Sequence, residues 1–307
     1  MKLIHTANEL KPGNRKVCLA IGFFDGVHLG HRQIIRQTIA DARQHDALAL
    51  VLTFDRHPDV VVAPERVPLL IYALPQKLRA IEALGADILL LIHFDEKFSR
   101  QPGEEFVRNL ARDLGQIQSL CVGADFIFGH KRSGNVALLK KLGGEIGFVV
   151  HGLAAVSLDG QIVSSTRIRE LIRAGDLDAA SQMLGRPYAI SGRVVKGDRL
   201  GQQLGFPTAN LNTTGLVLPP NGVYAGIAKI NENIHRAAIN VGFRPTVTSG
   251  MQLAHIEAHL LNFRGDLYGE ELELEIGEKL REEKKFASPA ELREQIARDI
   301  AAVNPRS

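Results

Sequence analysis

The sequence predicts an α/β domain with a parallel sheet, followed by a small antiparallel β-barrel domain and a C-terminal helix. Three observations indicate this architecture. Short apolar runs alternate with helical patterns over the first ~185 residues. Between residues 190 and 276 the apolar runs are short and are separated by Gly, Pro and Asn, with no long helical pattern. A proline-containing capping box then begins one last helix. We place the two domains at residues 1–185 and 186–307.

The apolar runs of the first domain have the length and composition of buried strands. They cover residues 17–21, 47–53, 88–94, 119–122 and 147–150. Residues with helical spacing lie between these runs, at Ile34, Ile35, Thr38, Ile39 and Ala42 and again at Phe106, Leu110 and Leu114. Alternation of strands and helices implies a parallel sheet with helices on both faces. Ligands of such sheets bind at the carboxyl ends of the strands, near a topological switch point.

Further segments complete the predicted elements. A helix over residues 176–184 has Asp176 as its N-cap and Gly185 as its end. Residues 253–261 and 272–276 alternate apolar and polar side chains, as the strands of a half-buried sheet do. The final helix begins with the capping box at 288–291 (SPAE). It then presents one apolar stripe, formed by Leu292, Ile296 and Ile300.

The composition is that of an ordinary globular protein, with 45% hydrophobic and 23% charged residues among 307. The 37 basic residues barely exceed the 34 acidic ones, and they are scattered, so we expect no nucleic-acid partner. No apolar run reaches membrane-spanning length and the N-terminus has no signal-peptide pattern. Cys18 and Cys121 lie in apolar runs, which predicts buried free thiols in a cytoplasmic enzyme. No feature indicates an oligomeric state.

The segment at 22–31 (GFFDGVHLGH) has the chemistry of a phosphate cradle. Its glycines let the backbone turn sharply and approach a ligand closely. We expect a helix to begin near Gly30 or His31, where free N–H groups and the helix dipole favour an anion. His28 and His31 can then converge on one phosphate as donors. A zinc site would need a third ligand, and neither a P-loop nor a GxGxxG pattern is present.

Four blocks of the first domain resemble a known family. Residues 28–31 resemble the HxGH signature of the nucleotidyltransferase superfamily, and segment 22–31 is similar to the form found in bacterial FAD synthetases. The other matching blocks are 53–58 (TFDRHP), 123–129 (GADFIFG) and 164–169 (SSTRIR), in the order of that family. The resemblance implies an HxGH-type parallel-sheet domain. It implies ATP binding by Gly22, Phe24, Asp25, Gly26, Gly30, Ser164, Ser165 and Thr166.

The block at 164–169 opens a helix whose apolar face is Ile168, Leu171 and Ile172. Hydroxyl and N–H groups at a helix start form an anion site, and Arg167 adds a planar fork that suits phosphate oxygens. The alternative is an N-cap followed by a solvated basic turn. Two anion sites in one α/β domain favour a triphosphate held at both ends.

Aromatic residues after the fourth apolar run offer a surface for a flat ring. Phe126 and Phe128 stand beside the polar Asp125, which would suit a flavin, although the edge of a core is an equally fair interpretation. In the resembling family this block contacts the flavin.

The reaction implied by the resemblance is attack of the FMN phosphate on the α-phosphorus of ATP, which yields FAD and pyrophosphate. The nucleophile is already ionised at neutral pH, because a phosphate has a second pKa of about 6. No general base is needed, so His28, His31 and Arg167 are predicted to act by alignment and charge stabilisation, together with Mg²⁺. The division of labour between the two histidines stays open.

The second domain opens with a glycine-rich segment at 192–201 and then 205–210 (GFPTAN). Thr208 Oγ1 and Asn210 Oδ1 can lie on one face of an extended chain, and such oxygens suit Mg²⁺ that carries nucleotide phosphates. A glycine-rich turn followed by a capped strand is the alternative. The segment resembles the PTAN motif of riboflavin kinases, which implies ATP binding by Gly197 and Gly201.

Further blocks resemble that kinase family, at 220–226, 240–246, 256–263 and 265–269. Many members have aspartate where this chain has Asn262, so we assign that position no role. The ribityl 5′-hydroxyl of riboflavin needs a base or a group that orients it strongly. The resemblance implies that Glu257 has this role and is not merely a solvated strand carboxylate. Arg281 and Phe286 are predicted to close over the flavin.

The sequence therefore predicts a bifunctional enzyme of flavin cofactor biosynthesis. The second domain would phosphorylate riboflavin to FMN, and the first would adenylylate FMN to FAD, each with ATP and Mg²⁺. FMN and FAD are products rather than prosthetic groups, and ATP, riboflavin and FMN are the expected partners. One alternative is an enzyme with a single activity, such as a nucleotidyltransferase for another phosphomonoester. A nucleic-acid-binding β-barrel protein is less well supported, because the chain has no Trp and only 6% aromatic residues.

Overall fold

A computed structural model describes residues 1–10, 13, 15–197, 201, 204–231, 233–245 and 252–303, with residues 243–245 and 252–254 described by their backbone alone. Contacts divide the chain into two compact units. The first contains residues 1–68 and 74–164, and the second contains residues 69–73 and 165–307. The helices at 165–174 and 177–184 belong to the second unit. The functional boundary between residues 185 and 186 stays a prediction.

The first unit combines a central sheet with helices and short hairpins. Its elements in chain order are β1 (Lys2–Ile4), β2 (Val17–Ile21), α1 (Leu29–Gln44), β3 (Leu48–Phe54), α2 (Asp59–Val62), α3 (Leu74–Glu82), β4 (Ile88–Ile92), α4 (Glu96–Ser99), α5 (Gly103–Leu114), β5 (Ile117–Gly123), β6 (Ile127–Phe128), β7 (Gly134–Asn135), α6 (Val136–Ile146), β8 (Val149–Leu153), β9 (Ser157–Leu158) and β10 (Gln161–Ile162).

Six of these strands form one parallel sheet within the described residues, in the order β1-β4-β3-β2-β5-β8. All residues of β2 are buried, as expected of a central strand covered on both faces. Leu19 and Ile21 belong to the apolar core on one face, and Cys18 and Ala20 belong to the core on the other. From β2 the chain extends the sheet first to β3 and β4 and later to β5 and β8. The topological switch point therefore lies between β2 and β5, where the cradle segment begins.

The predicted parallel sheet is confirmed, and its boundaries differ by a few residues. The third predicted strand ends at Ile92 rather than at residue 94. The first helix begins at Leu29, one residue before the expected start, because the His28 side chain accepts a hydrogen bond from the His31 N–H and so acts as the N-cap. Both cysteines are buried and free, as predicted.

The second unit is a barrel flanked by helices. Its elements are α7 (Ser165–Ala174), α8 (Leu177–Leu184), β11 (Ala189–Val195), β12 (Ala209–Leu211), β13 (Gly222–Ile230), β14 (Asn233–Pro245), β15 (Gln252–Leu260), β16 (Glu271–Arg281) and α9 (Pro289–Val303). The strands close in the order β11-β12-β15-β14-β13-β16, and every pairing is antiparallel. Closure leaves no free edge among the described barrel strands, and their buried side chains fill the interior.

The helices of this unit begin and end largely where the sequence predicts. Asp176 caps α8 by accepting from the Ala179 N–H at 3.1 Å, and Gly185 ends that helix with φ 69°. The predicted capping box of α9 is half formed. Ser288 Oγ accepts from the Glu291 N–H, but the Glu291 carboxylate accepts from the Ala287 N–H instead of from Ser288.

The buried side chains of the C-terminal helix are not the ones that the sequence predicts. The predicted stripe of Leu292, Ile296 and Ile300 is only half-buried, whereas Asp299 and Val303 are the buried side chains of α9. Asp299 is buried because it pairs with an arginine of the barrel. No helix of the described residues is long and apolar enough to span a membrane.

Candidate active sites

The turn after β2 has an unusual backbone. Phe24 and Val27 adopt φ values of 56° and 40°, and Gly26 adopts 74°. Positive φ is costly for a bulky or β-branched residue, so the surrounding structure must hold this conformation. Packing contributes, since the Phe24 and Val27 side chains are buried. A Cβ on Gly22 would lie 2.7 Å from the Phe24 ring, so only glycine fits there.

The two histidines of the turn are in direct contact. Their rings stack with centroids 3.5 Å apart, and the His31 ring also meets the Phe24 ring edge-on at 5.3 Å. His28 Nδ1 accepts the His31 N–H at 3.4 Å, which places the proton of a neutral His28 ring on Nε2. A Cβ on Gly30 would lie 3.3 Å from His28 Cε1, so glycine leaves room for the ring. The turn thus presents imidazoles at the N-terminus of α1, where anions are favoured.

The second predicted anion site divides between the two units. Ser164 lies at the end of the first unit, and the chain leading into it passes the start of α1, because a Cβ on Gly30 would lie 3.9 Å from the Val163 carbonyl oxygen. Ser165, Thr166 and Arg167 form the first turn of α7 in the second unit. Arg167 pairs there with Glu170 at 3.3 Å. That both segments hold one triphosphate stays a prediction.

An aromatic cavity of about 670 Å³ opens in the first unit, beside the carboxyl ends of its strands. Phe126 and Phe128 stack in its wall with centroids 5.3 Å apart, and Asp125 is exposed next to them. Further phenylalanines extend the wall through edge contacts: Phe54, Phe94, Phe98 and Phe106. The cationic side chains Lys131 and Arg132 also line the cavity. Such a cavity suits a flat aromatic ligand with an anionic tail.

A polar row crosses three strands of the barrel. Asn210 on β12 pairs with Glu257 on β15, which pairs with Asn240 on β14. Directly paired residues project to the same face, so the two amides flank the carboxylate. The Thr208 hydroxyl donates to Glu257 Oε2 at 3.4 Å. These side chains line a cavity of about 430 Å³ together with Phe286.

The glycine-rich segment packs against this row. A Cβ on Gly201 would overlap the Phe206 carbonyl oxygen, so glycine is needed there, and a Cβ on Gly197 would displace the Asn210 side chain. Residues 198–200 of the matching block, and Thr246 of the block at 240–246, lie outside the described residues. Thr208 and Asn210 also line an adjoining cavity of about 490 Å³.

Arg281 has a partner that the sequence did not reveal. Its guanidinium makes a bidentate contact with the Asp299 carboxylate, at 2.7 Å for the closest pair of atoms. The Phe286 ring lies 5.8 Å from the guanidinium carbon, and both residues line the cavity that contains Glu257. Arg281 therefore joins α9 to the barrel at the margin of the predicted flavin site.

Comparison with known proteins also divides the chain into two parts with different activities. Residues 10–167 match the family model of FAD synthetase, and residues 184–305 match that of riboflavin kinase. Curated relatives match over nearly the whole chain. The bifunctional riboflavin kinase/FMN adenylyltransferase of Escherichia coli K12 is 38% identical over 301 residues, which cover 97% of this chain and 96% of the relative. The chain belongs to the bifunctional riboflavin kinase/FMN adenylyltransferase family.

Other members and a solved structure extend the likeness. The bifunctional riboflavin kinase/FMN adenylyltransferase of Pseudomonas fluorescens is 38% identical over 302 residues, or 98% of this chain and 96% of the relative. A crystallised Streptococcus pneumoniae protein described as a macrolide-efflux protein shares the fold. Its TM-score is 0.82 with 27% identity, and both chains are covered in full.

The FAD synthetase domain contains a buried cation that the sequence analysis missed. Lys77 of α3 is 3% exposed, and its ammonium lies beneath the turn that carries His28 and His31. No motif marked it, because a lysine in an amphipathic helix normally faces solvent. Phe54 and Phe94 were missed as cavity residues for a related reason. They end apolar runs of the sequence and look like ordinary core residues.

The riboflavin kinase domain likewise contains an unpredicted histidine. His255 precedes Glu257 by two residues on β15, and its Nε2 lies 3.5 Å from Glu257 Oε1. Alternation along a strand places both side chains on one face, so the spacing was a signal that the sequence analysis did not use.

Proposed function

We propose that residues 1–185 transfer the adenylyl group of ATP to FMN and that residues 186–307 phosphorylate riboflavin. The chain is a riboflavin kinase and FMN adenylyltransferase, with the FAD synthetase domain first and the riboflavin kinase domain second. The observation that carries the assignment of the first reaction is the stacked His28–His31 pair at the N-terminus of α1. It supports a phosphate site at the switch point of the parallel sheet.

In the adenylyl-transfer site, the protein aligns the FMN phosphate with the α-phosphorus of ATP and stabilises the negative charge of the phosphates. An oxygen of the FMN phosphate attacks the α-phosphorus of ATP, and the bond to the β-phosphate oxygen breaks to release pyrophosphate. The His28 Nε2–H, the His31 ring and the backbone N–H groups of the first turn of α1 are assigned to the ATP phosphates. Gly22, Gly26 and Gly30 let the backbone approach the nucleotide.

Other residues of the first reaction are assigned to the two ends of the substrates. The hydroxyl groups of Ser164, Ser165 and Thr166, with the Arg167 guanidinium, are assigned to the far phosphates and the leaving pyrophosphate. The flavin ring is assigned to the wall formed by Phe126 and Phe128, next to Asp125. Asp25 and Phe24 are assigned to ATP through their backbone atoms, because both side chains are buried.

In the kinase site, Glu257 is assigned as the base for the 5′-hydroxyl of riboflavin. Proton transfer to the carboxylate makes the hydroxyl oxygen a nucleophile for the γ-phosphorus of ATP, and ADP leaves. Asn210 and Asn240 orient the Glu257 carboxylate from either side, and His255 approaches it along the strand. Gly197 and Gly201 are assigned to the ATP phosphates, and Arg281 to the flavin.

The oxygen atoms of the kinase site fit Mg²⁺. Hydroxyl, amide and carboxylate oxygens of Thr208, Asn210 and Glu257 lie together, and Mg²⁺ favours such ligands with phosphate oxygens completing its shell. No group of three or more His, Cys, Asp or Glu side chains suited to a metal occurs in the described part of the chain. We assign Thr208 and Asn210 as its protein ligands. When bound, Mg²⁺ would neutralise phosphate charge in each reaction.

The two activities form a sequence, because the product of the kinase is the acceptor of the adenylyltransferase. We assign the enzyme to the cytoplasm, a location supported by two buried free thiols, and expect no nucleic-acid partner. The test is to incubate the protein with riboflavin, ATP and Mg²⁺ and to separate the flavins by chromatography. FMN should form first and FAD second. FMN alone, with added FMN left unconverted, would contradict the assignment of the first domain.

A further inference from the structure

Lys77 lies at the meeting point of two strand ends. The side chain of this α3 residue is almost fully buried, with 3% of its surface exposed. Its Nζ donates to the carbonyl oxygens of Phe23 at 3.1 Å and Phe54 at 2.8 Å, and to Thr53 Oγ1 at 3.3 Å. Phe23 follows β2, whereas Thr53 and Phe54 end β3. One ammonium group thus connects the cradle segment to the neighbouring strand.

A buried ammonium group costs free energy that an apolar side chain would not. Burial lowers the pKa of Lys77 to about 8, and the carboxylates of Asp25 and Asp55 act in the opposite direction. The Phe23 ring also faces the ammonium, with its centroid 4.1 Å from Nζ. Stability alone does not account for a charge in this place, which points to a role at the adjoining site.

The carbonyl group that Lys77 binds begins the strained turn. Phe23 precedes Phe24 and Val27, the two non-glycine residues of the turn with positive φ. The same carbonyl oxygen accepts a hydrogen bond from the buried Thr53 hydroxyl at 2.9 Å. Two donors on one oxygen fix the point where the chain leaves β2, and therefore the position of the segment that carries His28 and His31.

We propose that Lys77 is a positioning residue of the FMN adenylyltransferase reaction, which holds the turn between β2 and α1 in place and supplies a fixed positive charge beneath it. This inference rests on the proposed function of that turn as the phosphate site. The ammonium touches the protein backbone rather than the reacting atoms. Its effect reaches ATP through the Phe23 carbonyl and through its charge.

The first test compares K77M, which keeps the length of the side chain without its charge, with K141M as a control at an exposed lysine of α6. For K77M we expect kcat for conversion of FMN to FAD to fall by at least about 10-fold. Riboflavin kinase activity of the same chain should stay within about twofold of wild type, and K141M should match wild type in both reactions. FAD formation by K77M at the wild-type rate would overturn the proposal.

A second variant keeps the proposal testable if K77M loses both activities through misfolding. T53V removes one donor to the Phe23 carbonyl and leaves the lysine in place. We expect about a threefold loss of FAD formation in T53V alone. Where K77M folds, the loss in K77M/T53V should be smaller than the product of the single losses. Wild-type FAD formation by T53V, or fully multiplicative losses in the double variant, would show that the two groups do not act through that oxygen.

The pH profile provides a readout that packing alone would not change. Wild-type FAD formation should decline above about pH 8 as Lys77 loses its proton, with Asp25 and Asp55 as the charged groups that face it. The residual activity of K77M should lack this decline. Identical alkaline profiles would contradict a role for the charge. Full FAD formation by a His28 variant would instead refute the proposed phosphate site itself, so the two failures are distinguishable.

Discussion

The imidazole rings of His28 and His31 lie stacked, with their centroids 3.5 Å apart and their planes inclined by 21°. The hydrogen bond from the His31 N–H to His28 Nδ1 makes His28 the N-cap of α1, and the same ring is the one that we propose binds phosphate. A suitable substitution should separate the observed capping role of His28 from its proposed chemical role.

Substitution of His28 should separate capping from catalysis. His28→Asn keeps a side-chain acceptor for the N-cap, whereas His28→Ala removes it and should cost about 1 kcal/mol of stability. Both variants lose the Nε2–H donor, so we expect FAD formation to fall by about 100-fold in each. Thermal unfolding and FMN-to-FAD assays check the two effects. Wild-type FAD formation by His28→Asn would show that the ring has no chemical role.

Loss of the Glu257 carboxylate should affect only the kinase. Glu257→Gln keeps the shape of the side chain but removes the base, so FMN formation from riboflavin should fall by about 100-fold or more. Conversion of added FMN to FAD should continue. The matched control is Glu278→Gln, at an exposed position of β16, which should leave both reactions unchanged. Equal loss of both activities in Glu257→Gln would indicate misfolding rather than a missing base.

The Arg281–Asp299 pair should contribute strongly to the stability of the second unit. Asp299→Asn leaves the partly buried guanidinium without its counter-charge, which should cost about 3 kcal/mol in the free energy of unfolding. Arg298→Met breaks the exposed pair with Glu294 on the same helix and should cost less than about 0.5 kcal/mol. Urea unfolding of both variants measures the two losses of unfolding free energy. Similar losses would show that burial of the Arg281–Asp299 pair does not increase its contribution to stability.

The native thiols should be chemically inert. Burial raises the pKa of Cys121 to about 12 and also raises the pKa of Cys18. Because the thiolate is the reactive form, iodoacetamide at about pH 8 should alkylate the native protein far more slowly than the protein unfolded in guanidinium. Labelling of the native thiols at the unfolded rate would contradict their burial.

The raised pKa of Cys121 also makes the stability of the protein depend on pH in the alkaline range. The Cys121 thiol ionises in the unfolded chain near its ordinary value of 9.0, while the folded protein retains the proton up to about pH 12. Since the folded state binds the additional proton, this group stabilises the protein below pH 9 and the stabilisation is lost as the pH rises toward 12. Cys121→Ala should show a shallower alkaline decline of the melting temperature than wild type.

The sequence by itself determined the fold class and marked candidate residues for both sites. Strand–helix alternation predicted the parallel sheet, and the change to short Gly- and Pro-separated runs predicted the barrel. The turn motif with His28 and the PTAN motif at 207–210 were recognisable because their residues are neighbours along the chain, whereas the role of Glu257 came from the family resemblance. Gly26 lies three residues before the start of α1, and Thr208 lies two residues before Asn210. Such short spacings can be read directly from a sequence.

Tertiary structure alone decided which distant residues meet. Lys77 lies 54 residues from the Phe23 carbonyl that it binds, and Asp299 lies 18 residues from Arg281. Both contacts join residues on different elements, and nothing in the local sequence marks a charged helical residue as buried rather than solvated. The aromatic cavity is similar, because Phe54 and Phe94 become neighbours only when β3 and β4 pair in the sheet. Local propensity fixes periodicity, whereas the choice of partners follows from packing of the whole domain.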